Sequence, residues 1–265
     1  MSFSLTILGC GSSGGVPRIG NHWGACDPAN RKNHRQRCSV VVEQRGPSGS
    51  TRVLIDTSPD LRGQLLAAGV GFLDGVVFTH PHADHTHGID ELRAVALNMR
   101  RRVPVWADSR TADALFKRFG YAFKTPEGSA YPPIVELSLI EPLAAVEVEG
   151  GGGKLTLMPF EVEHGDIRAL GFRVGNAAYT PDINGVPLES HAALDGLSCW
   201  VVDALRRTPH PSHWSLPETL EWISYFKPKT AVITNMHLDL DYDTLCAELP
   251  PHIRPAFDGM CLKFD

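Results

Sequence analysis

One short segment constrains the fold of this chain more than any other. Residues 79–85 read THPHADH, which places three histidines and one aspartate within six residues. The segment follows an apolar run at 75–78 that predicts a buried strand, and a helical pattern begins near Gly88. Imidazole nitrogens and carboxylate oxygens are preferred ligands of zinc, manganese and iron. The segment therefore predicts a metal site formed by His80, His82, Asp84 and His85.

Short apolar runs alternate with helical patterns along the whole chain. Strands are predicted at 3–8, 38–43, 52–56, 75–79, 103–106, 154–160, 169–174, 176–180, 199–203, 229–234 and 260–264. Helices are predicted at 59–68, 88–100, 109–118, 187–194, 215–226 and 241–248, the fifth with Ser215 as its cap and Pro217 in its first turn. This alternation indicates an α/β fold whose sheets are covered by helices.

No internal boundary divides the chain, so we predict one domain over residues 1–265. The glycine-rich stretch at 149–154 is short and predicts a hairpin turn. Segment 10–37 has little periodicity and predicts a long loop, and such loops in compact domains are usually functional or disordered.

Composition excludes several classes of protein. Hydrophobic residues make up 43% of the chain and charged residues 21%, as in ordinary globular proteins. The net charge of −5 does not favour non-specific electrostatic binding to nucleic acid. The six cysteines form no CxxC pair and predict no disulfide framework. The start of the chain lacks the pattern of a signal peptide, and no apolar run has the length of a membrane span, so we expect a cytoplasmic protein.

The THPHADH segment resembles the metal-binding motif of the metallo-β-lactamase superfamily. The resemblance implies a four-layer αβ/βα sandwich with two mixed sheets, and a site for two divalent metal ions, zinc or manganese. It implies that His80 and His82 bind one ion, that Asp84 and His85 bind the other, and that Asp84 also orients the nucleophile. Three further ligands must then follow later strands, namely a histidine, a bridging aspartate and a final histidine. The chain supplies them in that order as His164, Asp182 and His237.

Asp56 follows another predicted strand, in the run LIDTSPD. In the superfamily this position carries a carboxylate that hydrogen-bonds a metal-bound histidine and orients its ring. The alternative is a helix cap, a role that Ser58 or Asp60 can fill instead.

Two features favour the branch of the superfamily that contains ribonuclease Z and the cyclic-phosphate phosphodiesterase of the phosphonate pathway. The first is the glycine- and serine-rich opening at 8–17, LGCGSSGGVP, whose amides can hold phosphate oxygens or form a plain turn. The second is the pair His210 and His213, since this branch carries a metal-free histidine there that protonates the leaving oxygen. His213 is favoured and His210 is the alternative. The loop at 20–27 contains one cysteine, so the structural zinc of some relatives is not expected.

The sequence thus predicts a dinuclear metal-dependent phosphodiesterase acting on a small cyclic or nucleotide-like phosphodiester. The alternatives are a lactonase or thioesterase on the same scaffold, a tRNA 3′-processing endonuclease, or a non-catalytic carrier. Residues 119–134 form an aromatic, nearly uncharged insertion, which favours a lid over a small ligand rather than a tRNA clamp. Arg18, Arg101 and Arg102 are candidate phosphate contacts. We expect no membrane partner, and a homodimer remains open.

Overall fold

Two seven-stranded mixed sheets form the centre of the fold. The computed structural model describes residues 2–264, and its strands are β1 Phe3–Gly9, β2 Ser39–Gly46, β3 Gly49–Ile55, β4 Gly75–Val77, β5 Val103–Ala107, β6 Val135–Leu139, β7 Val146–Gly150, β8 Gly153–His164, β9 Ile167–Val174, β10 Ala177–Thr180, β11 Cys199–Asp203, β12 Thr230–Thr234, β13 Ile253–Pro255 and β14 Cys261–Phe264. The first sheet has the order β14-β1-β2-β3-β4-β5-β6, and the second has the order β13-β12-β11-β10-β9-β8-β7.

Each sheet changes from antiparallel to parallel pairing along its width. In the first sheet β1, β2 and β3 pair antiparallel, whereas β3 to β6 pair parallel. In the second sheet β7 to β10 pair antiparallel, and β10 to β13 pair parallel. The two halves of the chain therefore repeat one arrangement. The glycine-rich turn predicted at 149–154 joins β7 to β8, with Gly150 paired to Gly153.

Helices cover the outer faces of both sheets. They are α1 Leu61–Ala68, α2 Ala83–Thr86, α3 Leu92–Met99, α4 Ser109–Phe123, α5 His191–Leu194, α6 Leu216–Phe226 and α7 Tyr242–Glu248. Ser215 precedes α6 as predicted, and the Glu218 carboxylate accepts hydrogen bonds from its amide and hydroxyl. Such a carboxylate in the first turn also suits the positive end of the helix dipole.

Two buried clusters hold the layers together. The larger lies between the facing sheets and extends under the helices of the second half, with Phe160, Phe172, Tyr179 and Trp200 among its fully buried side chains. The smaller lies between the first sheet and helices α1, α3 and α4. These layers are helix, sheet, sheet and helix, so the predicted four-layer sandwich with two mixed sheets is confirmed.

Three strands escaped prediction, and all three lie at sheet edges. Strand β6 borders the first sheet, and β7 and β13 border the second. Edge strands face solvent and tolerate polar residues and proline, so they carry no apolar run. Strand β7 reads VEVEG and β13 reads IRP, which fits this explanation.

The expected lid at 119–134 is wrong in its structure and in its position. Helix α4 continues to Phe123 through a kink at Phe119, whose φ is −130°, and β6 begins at Val135. The helix predicted at 109–118 thus ends five residues later, where Phe119 and Phe123 pack against the smaller core. None of residues 119–134 lines the cavity at the predicted metal site.

The direction of the strands places the predicted site at one edge of both sheets. Strand β3 ends just before Asp56, and β4 ends just before the THPHADH segment. In the second sheet β10 ends shortly before Asp182, β11 ends at Asp203, and β12 ends shortly before His237. Strand β8 runs parallel to β10, because β9 is antiparallel to both, so His164 reaches the same edge. No helix among residues 2–264 has the length and apolarity that crossing a membrane requires.

Candidate metal centre

A first group of potential ligands combines the THPHADH segment with the second sheet. His80, His82, His164 and Asp182 present one ligand atom each, and all four atoms lie within 4.8 Å of one another. His80 Nε2 lies 3.1 Å from Asp182 Oδ2, and His164 Nε2 lies 3.2 Å from His82 Nδ1. Three imidazoles and one carboxylate are a donor set that suits zinc and its neighbours in the first transition series.

A second group shares Asp182 with the first. Asp84, His85 and Asp182 again place their ligand atoms within 4.8 Å of one another. Asp182 Oδ2 lies 2.9 Å from His85 Nε2, and Asp84 Oδ2 lies 3.5 Å from the same nitrogen. One carboxylate thus belongs to both groups, which is the arrangement expected of a bridging ligand.

Hydrogen bonds to the Nδ1 atoms of His80, His85 and His164 leave the Nε2 atoms of these rings facing the two ligand groups. Asp56 accepts from His85 Nδ1 at 2.7 Å, and the carbonyl of Ser212 accepts from His164 Nδ1 at 2.7 Å. The Thr79 hydroxyl donates its single proton to Asp56 at 2.7 Å, so it accepts from His80 Nδ1 at 2.9 Å. Outer partners of this kind fix the tautomer of a metal-binding histidine.

Two of the inward nitrogens fit a bound cation. His80 Nε2 and His85 Nε2 are buried and have no hydrogen-bond partner in proper geometry among the described residues, although Asp182 lies close to both. Burial lowers the pKa of His80 to about 3. Burial also lowers the pKa of His85, but the Asp182, Asp84 and Asp56 carboxylates raise it well above its usual value. A positive charge beside His85 and Asp182 is therefore favoured, and a metal ion or a proton can supply it.

Asp56 is positioned as the predicted partner of these histidines. It is fully buried in the left-handed region with φ 66°, and it accepts hydrogen bonds from His85 and from both the amide and the hydroxyl of Thr79. It does not cap helix α1, which follows Asp60. Thr79 itself was not predicted, because a threonine that precedes a histidine carries no recognisable pattern.

His237 lies apart from the two groups of ligands. It lines a cavity that Asp84 and Asp182 also line. Its Nε2 accepts a hydrogen bond from Arg18 at 2.5 Å, and its Nδ1 donates to Asp239 at 3.1 Å. An arginine can only donate, which fixes this tautomer and occupies the lone pair that a metal would need. The assignment of His237 as a ligand therefore stays a prediction.

His213 and His210 line the same cavity, whose volume is about 210 Å³. His213 Nδ1 donates to the buried Asp203 carboxylate at 2.8 Å, which leaves Nε2 available. Burial lowers the pKa of His213, but Asp203 outweighs it and raises the value to about 9. Among the described residues His210 hydrogen-bonds only to Ser212, and burial and its cationic neighbours lower its pKa. The structure orients His213 more firmly than His210.

Asn235 connects the two groups of potential ligands to the His213–Asp203 pair. This residue was not predicted from the sequence. Its side-chain amide donates to Asp182 Oδ1 at 2.6 Å and to Asp203 Oδ1 at 3.2 Å. The residue is 1% exposed and has φ 58°, a conformation that asparagine tolerates better than most residues. Asp203 was also missed, although an acid at the end of the apolar strand CWVVD was a usable signal.

Comparison with known proteins agrees with this architecture. Residues 51–236 match the family model described as the Beta-lactamase superfamily domain. A solved structure described as a new diphosphatase from the PhnP family is 35% identical, with a TM-score of 0.89, and the match covers 100% of this chain and 98% of that one.

Curated relatives also match at the level of sequence. A Porphyromonas gingivalis protein named octanoyltransferase is 32% identical over 96% of this chain and 50% of its own length. A ribonuclease Z of Bradyrhizobium sp. (strain ORS 278) is 33% identical over 55% of this chain and 45% of its own length. The chain spans about half the length of the curated relatives it matches.

Proposed function

The chain belongs to the metallo-β-lactamase superfamily, and from that premise we propose that it is a dinuclear metal-dependent phosphodiesterase acting on a small cyclic or nucleotide-like phosphodiester. One observation carries the proposal. Two groups of potential metal ligands share Asp182, and His213, which the buried Asp203 orients, lines the cavity beside them.

The ligand groups fit two divalent ions, zinc or manganese. His80, His82, His164 and Asp182 would hold one ion, and Asp84, His85 and Asp182 would hold the other, with His237 as its last ligand once its ring leaves Arg18. Such ions, when bound, polarise phosphoryl oxygens and lower the pKa of water towards about 7.

Side chains of the protein would orient the attacking water and protonate the leaving group. Asp84 lines the cavity with 19% of its side chain exposed, and its carboxylate can accept a hydrogen bond from the attacking water and orient it. His213 Nε2 donates a proton to the leaving oxygen, while Asp203 holds the ring through Nδ1. Asn235 orients Asp182 and Asp203 by donating a hydrogen bond to each carboxylate. A positioned acid of this kind contributes about 10²- to 10⁴-fold when the leaving group is an alkoxide.

The dimensions of the cavity and the net charge of the chain favour a small substrate over precursor tRNA. The cavity of about 210 Å³ is smaller than the roughly 300–1,000 Å³ of drug-sized sites. The chain has a net charge of −5, whereas binding to a nucleic-acid backbone relies on many cationic contacts. The protein that this chain resembles along its whole length is described as a diphosphatase of the PhnP family, which supports a phosphorus-containing substrate.

Acyl hydrolysis is the alternative that the Porphyromonas gingivalis octanoyltransferase brings to attention. That protein is twice as long as the matched region, so its named activity concerns a larger molecule. Thiolates and activated acyl leaving groups depart without a proton donor, and the His213–Asp203 pair would then serve no purpose.

A panel of substrates tests the proposal. The metal-loaded protein is assayed with bis-p-nitrophenyl phosphate, a 2′,3′-cyclic nucleotide, a ribosyl 1,2-cyclic phosphate, a lactone, an octanoyl thioester and a precursor tRNA. We expect turnover of the small phosphodiesters, with KM changing less than about threefold between 50 and 200 mM salt, because few phosphate contacts are involved.

Two results would count against the proposal. Faster turnover of the lactone or thioester than of every phosphodiester would favour the acyl alternative. Efficient 3′-end cleavage of precursor tRNA, with affinity falling steeply as salt rises, would instead identify a tRNA-processing enzyme.

A further inference from the structure

We infer that Arg35 is a positioning residue whose buried guanidinium fixes the main chain of residues 237–241, the turn that carries His237. The inference rests on the proposed function, in which His237 is the last ligand of the second metal ion. The turn follows β12 and precedes helix α7. With its main chain held in place, only the His237 ring has to move when it exchanges Arg18 for a metal ion. Arg35 would therefore control the affinity for that ion without touching it.

Arg35 is an unusual residue for a protein interior. It is 2% exposed, and its guanidinium donates hydrogen bonds to four neutral acceptors. Its buried Nε has no hydrogen-bond partner among residues 2–264. A buried charge that contacts only neutral acceptors lowers the stability of a fold unless each contact is well made. The stability of the fold alone does not explain an arginine at this point.

Two of the four contacts reach the turn itself. Arg35 Nη1 donates to the His237 carbonyl at 3.3 Å, and Nη2 donates to the Leu240 carbonyl at 2.6 Å. The Leu240 amide also donates to the His237 carbonyl at 3.2 Å, so both ends of this hydrogen-bonded turn meet at one guanidinium. The planar fork of arginine can hold two carbonyls in fixed directions, which the single ammonium group of lysine cannot do.

The other two contacts join Arg35 to the long loop before β2. Nη2 donates to Asn33 Oδ1 at 3.2 Å, and Nη1 lies 3.8 Å from Cys26 Sγ. Asn33 is fully buried and donates to Asp241 Oδ2 at 2.6 Å, while its Oδ1 also accepts from the Tyr242 amide at 2.8 Å. The turn is thus held at two points, because Arg35 binds its carbonyls and Asn33 binds its last residue and the start of α7.

Glycines allow these segments to approach closely. A Cβ at Gly24 would overlap Leu238 Cδ1 and lie 2.5 Å from the Leu238 carbonyl oxygen, to which the Ala25 amide donates at 2.9 Å. A Cβ at Gly11 would lie 2.9 Å from Arg35 Cβ, so glycine lets Arg35 lie beside the end of β1. A larger residue at either position would force the segments apart. The close contact between the long loop and the turn therefore depends on these glycines.

His237 combines a fixed main chain with a ring whose contacts are partly exposed. The ring contacts Arg18 and Asp239, and 21% of the His237 side chain and 34% of the Asp239 side chain are exposed. The main chain is held by Arg35 and by the His237 amide, which donates to the Leu205 carbonyl at 2.9 Å. Exposed hydrogen bonds exchange readily for a ligand, whereas buried ones are costly to break. A change at Arg35 would displace the base of the His237 side chain, and with it the reach of the ring.

Metal affinity tests the inference without relying on catalysis. The protein is stripped of metal, and zinc is added in competition with a chromophoric chelator, which gives a dissociation constant for each bound ion. Arg35→Lys should raise the constant of one ion about 10- to 100-fold, the loss typical of partners that orient a metal ligand. The constant of the other ion should change less than about threefold, because its histidines follow β4 or end β8 and lie outside the turn.

Arg37→Lys is the matched control. Arg37 belongs to the same loop, but its guanidinium pairs with Asp60 at 2.7 Å instead of with the turn. Both dissociation constants of this variant should stay within about threefold of the wild type. Hydrolysis of bis-p-nitrophenyl phosphate gives a second readout: the Arg35→Lys protein should be slow at two equivalents of zinc and should recover when zinc exceeds the raised constant, because the ligands themselves are intact.

A double variant shows whether Arg35 acts through His237. His237→Ala alone should weaken the same ion that Arg35→Lys weakens. Adding Arg35→Lys to His237→Ala should weaken that ion no further, because the residue through which Arg35 acts is then absent. Effects that are independent of each other would instead multiply in the dissociation constant.

Each contrary result has a distinct meaning. Fewer than two ions in the wild-type protein would overturn the proposed function, and this inference with it. Two ions whose constants change equally in Arg35→Lys, or an effect that multiplies with that of His237→Ala, would overturn the inference and leave the proposed function intact. If Arg35→Lys does not fold, Arg35→Gln takes its place, since a neutral amide is easier to bury. Unfolding of both variants would show that Arg35 serves the fold alone, which would also overturn the inference.

Discussion

Replacing Asp182 with asparagine should lower kcat/KM on small phosphodiesters by about a thousandfold and leave less than one metal ion per chain. Its carboxylate belongs to both ligand groups, within 3.1 Å of His80 Nε2 and 2.9 Å of His85 Nε2. The change removes the bridging charge but preserves the shape of the side chain. A bound metal stabilises the transition state by several kcal/mol, and about 4 kcal/mol corresponds to about a thousandfold in rate.

The measurement combines elemental analysis with steady-state kinetics on bis-p-nitrophenyl phosphate. Asp108→Asn is the control, since Asp108 caps helix α4 through Thr111 and asparagine caps a helix equally well. That variant loses the same charge and should retain two ions and the full rate. Two bound ions and an unchanged rate in the Asp182 variant would show that the ligand groups are not the metal centre.

The second large effect concerns proton donation by His213. Replacing it with alanine should lower kcat by about 100- to 10,000-fold on substrates with alkoxide leaving groups, such as a 2′,3′-cyclic nucleotide. On a p-nitrophenyl ester the loss should be within a few fold, because p-nitrophenolate leaves without protonation. His213 lies at the cavity wall and Asp203 orients it, which is the geometry that this role requires.

Two further measurements separate proton donation from other roles. Metal content should remain at two ions, and Asp203→Asn should reproduce the same dependence on the leaving group in weaker form, because the ring loses its orienting carboxylate. His210→Ala is the control, since His210 lines the same cavity but no carboxylate among residues 2–264 orients its ring. Equal losses on both substrates, or a stronger effect of His210→Ala, would reject His213 as the acid.

The fold and the ligand groups could be predicted because they depend on local patterns. Apolar runs that end in a histidine or an aspartate predict both the strand and the point at which its side chain emerges. Six of the seven predicted ligands, all except His237, form the two groups that share Asp182. The order of these residues along the chain was enough to predict the family, which the match over residues 51–236 confirms.

The contacts between distant loops could not be predicted in the same way. Asn235 links Asp182 to Asp203 across 53 and 32 positions of the chain, and an asparagine after a strand has no pattern that reveals such partners. The bond from Arg18 to His237 joins residues 219 positions apart. Helix α4 continues past Gly120 because Phe123 packs against the smaller buried cluster, which is a property of tertiary packing.

The central claim is that this chain hydrolyses phosphodiesters with two metal ions, and a metal titration tests it most directly. The protein is stripped with a chelator and then receives zinc or manganese in steps of a quarter equivalent, while bound metal and hydrolysis of bis-p-nitrophenyl phosphate are followed together. We expect no hydrolysis in the stripped protein and a rate that rises until two ions are bound per chain. Full activity at one ion or at none, or no hydrolysis at two, would contradict it.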